Sequence, residues 1–265
     1  MHASLFDSYQ AHESLIHSLD ARVKILLAIG LILGTVLLPD GAWMGFGLTW
    51  FLILLISRAA RVKIRFLLTR SLLFIPFVLA AATVIFTLPG VIIWSVQIGP
   101  VYIQASDFGL LRFSSIVLRS WLSVQVAVLL VVTTRFPDLI HALEHLKVPN
   151  VIISIISFMY RYLFVLFDET MRLVRARQAR SAVVSGFKSG GSLSWRARTA
   201  GNMAGQLFVR SYERADRVYN AMLARGYQGE LLTLTPHRMS DRDWNYLLAG
   251  LIGLFVIQLI ARLLP

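Results

Sequence analysis

Long apolar runs separated by short polar connections dominate the chain. They cover Ile25–Leu38, Trp43–Ile56, Leu67–Leu88, Phe108–Thr134, Val151–Phe167 and Tyr246–Leu264. A helix that crosses a bilayer needs about 20 mostly apolar residues. The first two runs are short, and the turn chemistry of Pro39-Asp40-Gly41 between them predicts a helical hairpin whose flanks reach the interface. The connection 89–107 carries two β-rich pieces around Gly99-Pro100, which predicts a small outer hairpin, with a substrate gate as the functional alternative. Phe136-Pro137-Asp138 opens a short amphipathic helix with Leu139, Leu143 and Leu146 on one face. Val148-Pro149-Asn150 stops it, and it is expected to lie along the membrane surface. A long helix is expected from Pro149 to about Val184, then a Gly/Ser-rich loop over Ser185–Ser194. A second long helix is expected from about Trp195 to Ala224, with Gly226 as its stop.

Composition agrees with a membrane solvent. Of the 265 residues, 57% are hydrophobic and only 15% charged, against roughly 25% charged in soluble domains. The mean hydropathy is +0.68. A disordered chain, a collagen-like chain and an ordinary soluble enzyme are thereby excluded. There is no cysteine, which excludes disulfide scaffolds and thiolate metal sites. Met1–Asp20 is polar and mixed, without the basic start and apolar stretch of a cleavable signal.

The net charge of +12 is informative through its placement. Arg22 and Lys24 precede the first run, and Arg58, Arg61, Lys63 and Arg65 follow the second. Residues 39–42 and 89–107 carry no lysine or arginine. Basic loops stay on the cytoplasmic side, so this alternation predicts a cytoplasmic N-terminus. Residues 168–243 hold thirteen of the 26 basic residues. They would lie outside if Val151–Phe167 crossed, so that run is expected not to span. The organisation is then a four-span membrane domain over 1–134, a cytoplasmic block over 135–243 and a last span over 244–265. The fold class is an all-α integral membrane protein with about five transmembrane helices and long cytoplasmic helices.

Few residues suggest chemistry. No P-loop is present, since Gly186-Phe187-Lys188-Ser189-Gly190 has the wrong order to cradle a phosphate, and GxSxG is absent. His141-Ala142-Leu143-Glu144-His145 matches the inverted zinc pattern H-x-x-E-H. It leaves an intramembrane metal-dependent enzyme as a rival reading, although no third ligand is specified. Arg112 and Arg119 are intramembrane-type charges in the fourth run; Arg119 lies deeper, and no carboxylate inside another span is an obvious partner. On the second long helix Arg210, Arg214, Arg217 and Arg225 fall within about an 80° arc at 100° per residue. Such a stripe is either a solvated or lipid-facing surface or a dock for an acidic, grooved partner, which the planar guanidinium fork suits.

Several segments carry a resemblance. Leu19-Asp20-Ala21-Arg22-Val23-Lys24 starts the first helix. Tyr160-Arg161-Tyr162-Leu163-Phe164-Val165-Leu166, Glu169, Arg172 and Arg175-Ala176-Arg177-Gln178-Ala179-Arg180-Ser181 lie on the first long helix. Leu207 to Ala215 and Ala221 to Tyr227 lie on the second. Together they resemble the transmembrane coupling component of energy-coupling factor transporters, and within it the CbiQ type associated with cobalt uptake.

The resemblance implies a non-catalytic coupling subunit of an ATP-driven importer in the bacterial plasma (inner) membrane, with cobalt favoured and nickel or a vitamin as alternatives. It implies two cytoplasmic ATPase subunits that bind the ATP and magnesium, so that this chain itself holds no cofactor. An integral membrane substrate-binding component and a further small membrane subunit are also implied, and nucleic acid is not. Two Ala-Arg-Gly motifs dock the ATPases in that family; here they fall on Ala179-Arg180-Ser181 and Ala224-Arg225-Gly226. Ser181 replaces glycine, which makes any left-handed backbone there costly. Arg210, Arg214 and Arg217 are the supporting basic face. Tyr160, Tyr162, Leu139 and Leu143 are expected against the substrate-binding component.

Overall fold

The computed structural model describes residues 9–10, 12–98, 101–146, 148–180, 192–229 and 239–263. It is an all-α membrane protein with one added β-hairpin. The helices are α1 (Leu15–Ser18), α2 (Ala21–Val36), α3 (Trp43–Ala59), α4 (Ile64–Ser71), α5 (Ile75–Ala81), α6 (Val84–Thr87), α7 (Asp107–Thr133), α8 (Phe136–His145), α9 (Asn150–Arg180), α10 (Leu193–Ala224) and α11 (Asp241–Leu263). Strands β1 (Ile92–Ile98) and β2 (Val101–Ser106) pair antiparallel, as the residues flanking Gly99-Pro100 predict. Gly99 and Pro100 themselves lie outside the described residues.

Among the described residues four stretches are, by length and composition, long and apolar enough to cross a membrane: Ile64–Thr87, Asp107–Thr133, Asn150–Arg180 and Asp241–Leu263. At 1.5 Å per residue α2 and α3 are about 24 and 26 Å long, short of the roughly 30 Å hydrocarbon core, as their short apolar runs imply.

The third run is not one straight helix. A 3₁₀ turn at Leu72–Phe74 separates α4 from α5, and Pro76 sits in the first turn of α5. Proline offers no N–H and its ring crowds the preceding turn, so the α ladder breaks there. Trp121 of α7 covers the break, its indole N–H donating to Ser71 Oγ at 3.2 Å.

The chain divides into two compact units. The larger contains α1–α7, the start of α8 and α11. Helix α7 is its central post, packed against α2, α3, α4, α5 and α6. Leu122, Val126, Leu129 and Val132 recur on one face of α7 and are buried with Leu31, Phe46, Ile53 and Leu67. Helix α11 packs on α2 and α3. At Gly45 of α3 a Cβ would come within 2.7 Å of Ala261 Cβ of α11; a small residue there lets the two helices approach closely.

Local capping sets the ends of this unit. Ser106 Oγ accepts from Gly109 N at 3.0 Å and donates to Leu88 O at 2.7 Å, which fixes the hairpin to the start of α7. Asp20 caps α2 by accepting from Arg22 N at 2.8 Å. Asp243 of α11 accepts from Asp20 N at 3.3 Å and Ser240 N at 3.0 Å. Lys24 Nζ donates to His17 O and Thr133 O, both at 3.1 Å, tying α2 to the ends of α1 and α7. Leu19-Asp20-Ala21-Arg22-Val23-Lys24 is therefore a knot joining α1, α2, α7 and α11.

Arg119 also finds its partner in this unit. Its guanidinium pairs with Asp40 Oδ1 at 2.7 Å and donates to Leu38 O at 2.6 Å, while Arg112 stands 3.9 Å from Asp40 Oδ2. The carboxylate belongs to the turn between α2 and α3, not to another span. The same turn is held by Gly41 N donating to Ser115 Oγ at 3.1 Å.

The smaller unit contains the end of α8 with α9 and α10. Helix α9 is one continuous helix to Arg180, and the rest of its expected length lies outside the described residues. Helix α10 starts at Leu193, two residues earlier than expected, because Ser192 is its cap and accepts from Trp195 N at 3.3 Å.

Candidate functional site

An ionic pin joins helices α9 and α10. Glu169 of α9 has a side chain only 15% exposed and receives two guanidiniums: Arg172 at 2.6 Å from its own helix and Arg210 at 2.8 Å from α10. Beyond the pin an apolar groove of about 510 Å³ opens between the helices. Val151, Phe158, Tyr162 and Leu166 line it from α9, and Arg214, Val218 and Met222 from α10. The last turns of α10 therefore lie beside the first turns of α9, and the pair is antiparallel. Arg180 and Arg225 end their helices on opposite sides of the pin. Along the helix axes they lie about 16 and 22 Å from it.

The end of α10 is built in detail. Gly226 has φ +82, the left-handed region that glycine enters without steric cost. Gly226 N donates to Leu223 O and Tyr227 N to Met222 O, both at 3.0 Å. These two bonds form a Schellman termination, and Met222 and Tyr227 line the groove together. Arg225 occupies the C-cap, exposed, with no side-chain partner among the described residues. A Cβ at Gly226 would meet nothing within 4 Å, so an alanine would be penalised by backbone conformation alone. Gly226→Ala is expected to cost about 1–2 kcal/mol of local stability, read as faster amide exchange over Met222–Tyr227 with α9 unchanged.

The other motif is described only up to Arg180. Ala179 and Arg180 are exposed in the last turn of α9, and Ser181 lies outside the described residues. The arginines of α10 occupy different environments despite their shared arc. Arg210 is committed to Glu169, Arg214 lines the groove, Arg217 stands 4.0 Å from Glu213, and Arg225 projects from the cap. Tyr160 stacks edge-on against Phe164 at 5.1 Å, and Tyr162 faces the groove. Leu139 and Leu143 are half-buried on α8.

His141 lines a polar chamber of the larger unit, whereas Glu144 and His145 belong to the smaller one. Among the described residues no group of three or more histidine, cysteine, aspartate or glutamate side chains could hold a metal.

None of the 32 residues of α10 is buried, and Phe208, Val209, Tyr212, Tyr219 and Leu223 expose large apolar surfaces. An exposed apolar helix of this length marks a surface made for other molecules. The sequence reading did not single out Glu169 as a site residue. Its signal was the acidic pair Asp168-Glu169 just ahead of Arg172, Arg175, Arg177 and Arg180.

These features define a multi-pass membrane protein whose paired helices end in exposed arginines. Residues 12–235 match the family CbiQ, described as cobalt transport protein, and the chain belongs to that family. It is 31% identical over 227 residues to the energy-coupling factor transporter transmembrane protein EcfT 1 of Listeria monocytogenes, covering 82% of each chain. It is 28% identical over 176 residues to the cobalt transport protein CbiQ of Rhodobacter capsulatus, covering 66% of each. An uncharacterised protein of Methanocaldococcus jannaschii is 28% identical over 261 residues, 97% of this chain and 86% of that one.

Proposed function

We propose that this chain is the coupling subunit of an ATP-driven importer. The observation that carries the proposal is the pinned pair α9–α10, with an exposed guanidinium at a helix end on each side of the pin that has no partner among the described residues. Two separated ends suit two ATPase subunits, each receiving one arginine with small residues beside it: Ala179-Arg180-Ser181 and Ala224-Arg225-Gly226. The ATPases bind ATP and magnesium, and this chain needs no cofactor for its part.

The pin makes the pair a lever. Closing of the ATPases displaces both arginine ends, and Glu169 with Arg172 and Arg210 keeps the helices from sliding apart under that load. The groove between Tyr162 and Met222 changes shape with them. A membrane-embedded substrate-binding component seated there, with Tyr160 and Leu143 in contact, would tilt and release its cargo. Cobalt is the favoured cargo, since the family is described by it, and it is selected by that component rather than by this chain. The basic block between α7 and α11 faces the cytoplasm of a bacterial inner membrane in this reading, and the first part of α9 does not cross it.

Gentle purification from the native membrane tests the reading. An ATPase and a small integral membrane protein are expected to come with the chain. Recovery of the folded chain alone in mild detergent would overturn it.

A further inference from the structure

Strands β1 and β2 form an amphipathic ribbon. Their register pairs Trp94 with Ala105, Val96 with Ile103 and Ile98 with Val101. Cross-strand partners share a face, and successive residues alternate between the two faces. One face of the ladder thus holds Trp94, Val96, Ile98, Val101, Ile103 and Ala105, all apolar. The other holds Ser95, Gln97, Tyr102 and Gln104, each with a polar group.

The base of the ribbon is fixed to the helices on either side. Asp107 N donates to Val91 O at 3.0 Å, and Ser106 Oγ links Leu88 O to Gly109 N. A Cβ at Gly109 would stand 2.6 Å from Ile85 O, so α6 and the start of α7 meet closely there. Strand β2 packs on both helices, yet Trp94 is 60% exposed. Val91 is exposed too, as are Phe86, Phe108 and Leu110 at the ends of the two flanking stretches, Ile64–Thr87 and Asp107–Thr133. Between Arg70 and Asp107 the chain has no charged residue.

Water is a poor neighbour for such a ribbon. Exposed strand edges in water are normally blunted by charged side chains or covered, and exposed apolar faces mark contact with another molecule or a membrane. The hydrocarbon core does not suit it either. The sheet has two strands, so each keeps one edge without a ladder partner, and lipid tails cannot satisfy those backbone groups. The bilayer interface meets both demands, with apolar lipid on one side and water on the other, and tryptophan concentrates there.

We infer that the ribbon is an interfacial anchor whose partner is the lipid surface: its Trp94 face lies on the bilayer beside the ends of α6 and α7, and its Gln97 face meets water. It holds the start of α7, the central post of the larger unit, at one depth in the membrane. The inference applies whichever side of the membrane the ribbon occupies, and it is independent of the coupling role.

The chain has no cysteine, so single introduced thiols report without background. Val96→Cys and Ile103→Cys fall on one face of the ladder, Gln97→Cys and Gln104→Cys on the other. Each full chain is placed singly in nanodiscs of phosphatidylcholine and phosphatidylglycerol and treated with a water-soluble maleimide. The thiolate is the reactive form, and an apolar setting raises a thiol's pKa. A rise of about one unit leaves about tenfold less thiolate, so Val96→Cys and Ile103→Cys are expected to react about tenfold more slowly than the other two. In discs of brominated lipid the fluorescence contributed by Trp94, read as wild type minus Trp94→Phe, is expected to be quenched. Equal rates on the two faces would overturn the inference and leave the Trp94 face open in water, as a gate or a protein-docking surface requires. Slow reaction on that face without quenching by brominated lipid would overturn it as well, because the chain itself would then be the cover. One chain per disc keeps a second copy from supplying it. The labelling leaves Trp94 in place and the quenching uses no cysteine, so misfolding in one set of variants leaves the other to decide.

Discussion

Replacing both Arg180 and Arg225 by alanine is expected to abolish ATP-driven uptake and release the ATPase on purification, with no change in thermal stability. Both side chains are exposed and without partners among the described residues, so the fold should lose no more than about 0.5 kcal/mol at either position. At a docking interface a central arginine is worth much more, about 2–4 kcal/mol on truncation, or roughly 30- to 1000-fold in affinity. Each single variant keeps one docked end and should retain part of the complex. Arg→Lys at both positions is expected to fall between wild type and alanine, because lysine keeps the charge and loses the planar fork. Near-normal uptake by the double alanine variant, with the protein in the membrane at wild-type level, would sink the coupling role.

Breaking the pair Asp40–Arg119 should be more harmful than removing it. The Arg119 side chain is 19% exposed and that of Asp40 33% exposed. Asp40→Ala leaves the guanidinium on a membrane helix with Leu38 O as its remaining strong acceptor. Stranding a largely buried charge costs about 3–5 kcal/mol in a fully buried setting; here, partly exposed, about 2–3 kcal/mol is expected. Arg119→Leu with Asp40→Ala removes both charges and should cost less than the two single changes added together, by about 1–2 kcal/mol. Unfolding midpoints of the four proteins in one detergent close the cycle. Additivity within about 0.5 kcal/mol would mean that the pair is not an energetic unit.

The two results bear on different parts of the molecule, and the sequence was legible to a different degree in each. The positions of the apolar runs follow from hydropathy because lipid leaves backbone groups no outside partner, so such runs become helices. Hydropathy does not register how a helix is interrupted. Leu67–Leu88 reads as one span, and the break at Leu72–Phe74 comes from Pro76 together with an indole from α7. The partner of Arg119 was missed for a related reason. A search of other spans for a carboxylate overlooks a turn, and Asp40 reaches Arg119 only because α2, α3 and α7 bundle with that turn against the helix.

The arginine stripe shows the same limit at the candidate site. Helical periodicity correctly puts Arg210, Arg214, Arg217 and Arg225 on one arc, but an angle says nothing about what faces it. Once α9 lies alongside, Arg210 is taken by Glu169 and Arg214 turns to the groove, which leaves Arg225 at the cap. The cap itself was readable in advance, since Ala224-Arg225-Gly226 places glycine where a helix must enter left-handed backbone.

Local chemistry therefore determined what is local: the apolar helices, the β-hairpin, the helix caps and the two arginine-bearing ends. Those properties depend on residues within a few turns of one another, and one chain segment is enough to specify them. Which charges are spent depends on contacts between residues as distant in sequence as Lys24 and Thr133 or Glu169 and Arg210. Such pairings are settled only when the helices pack, because their energy comes from desolvating and joining groups that no local pattern connects.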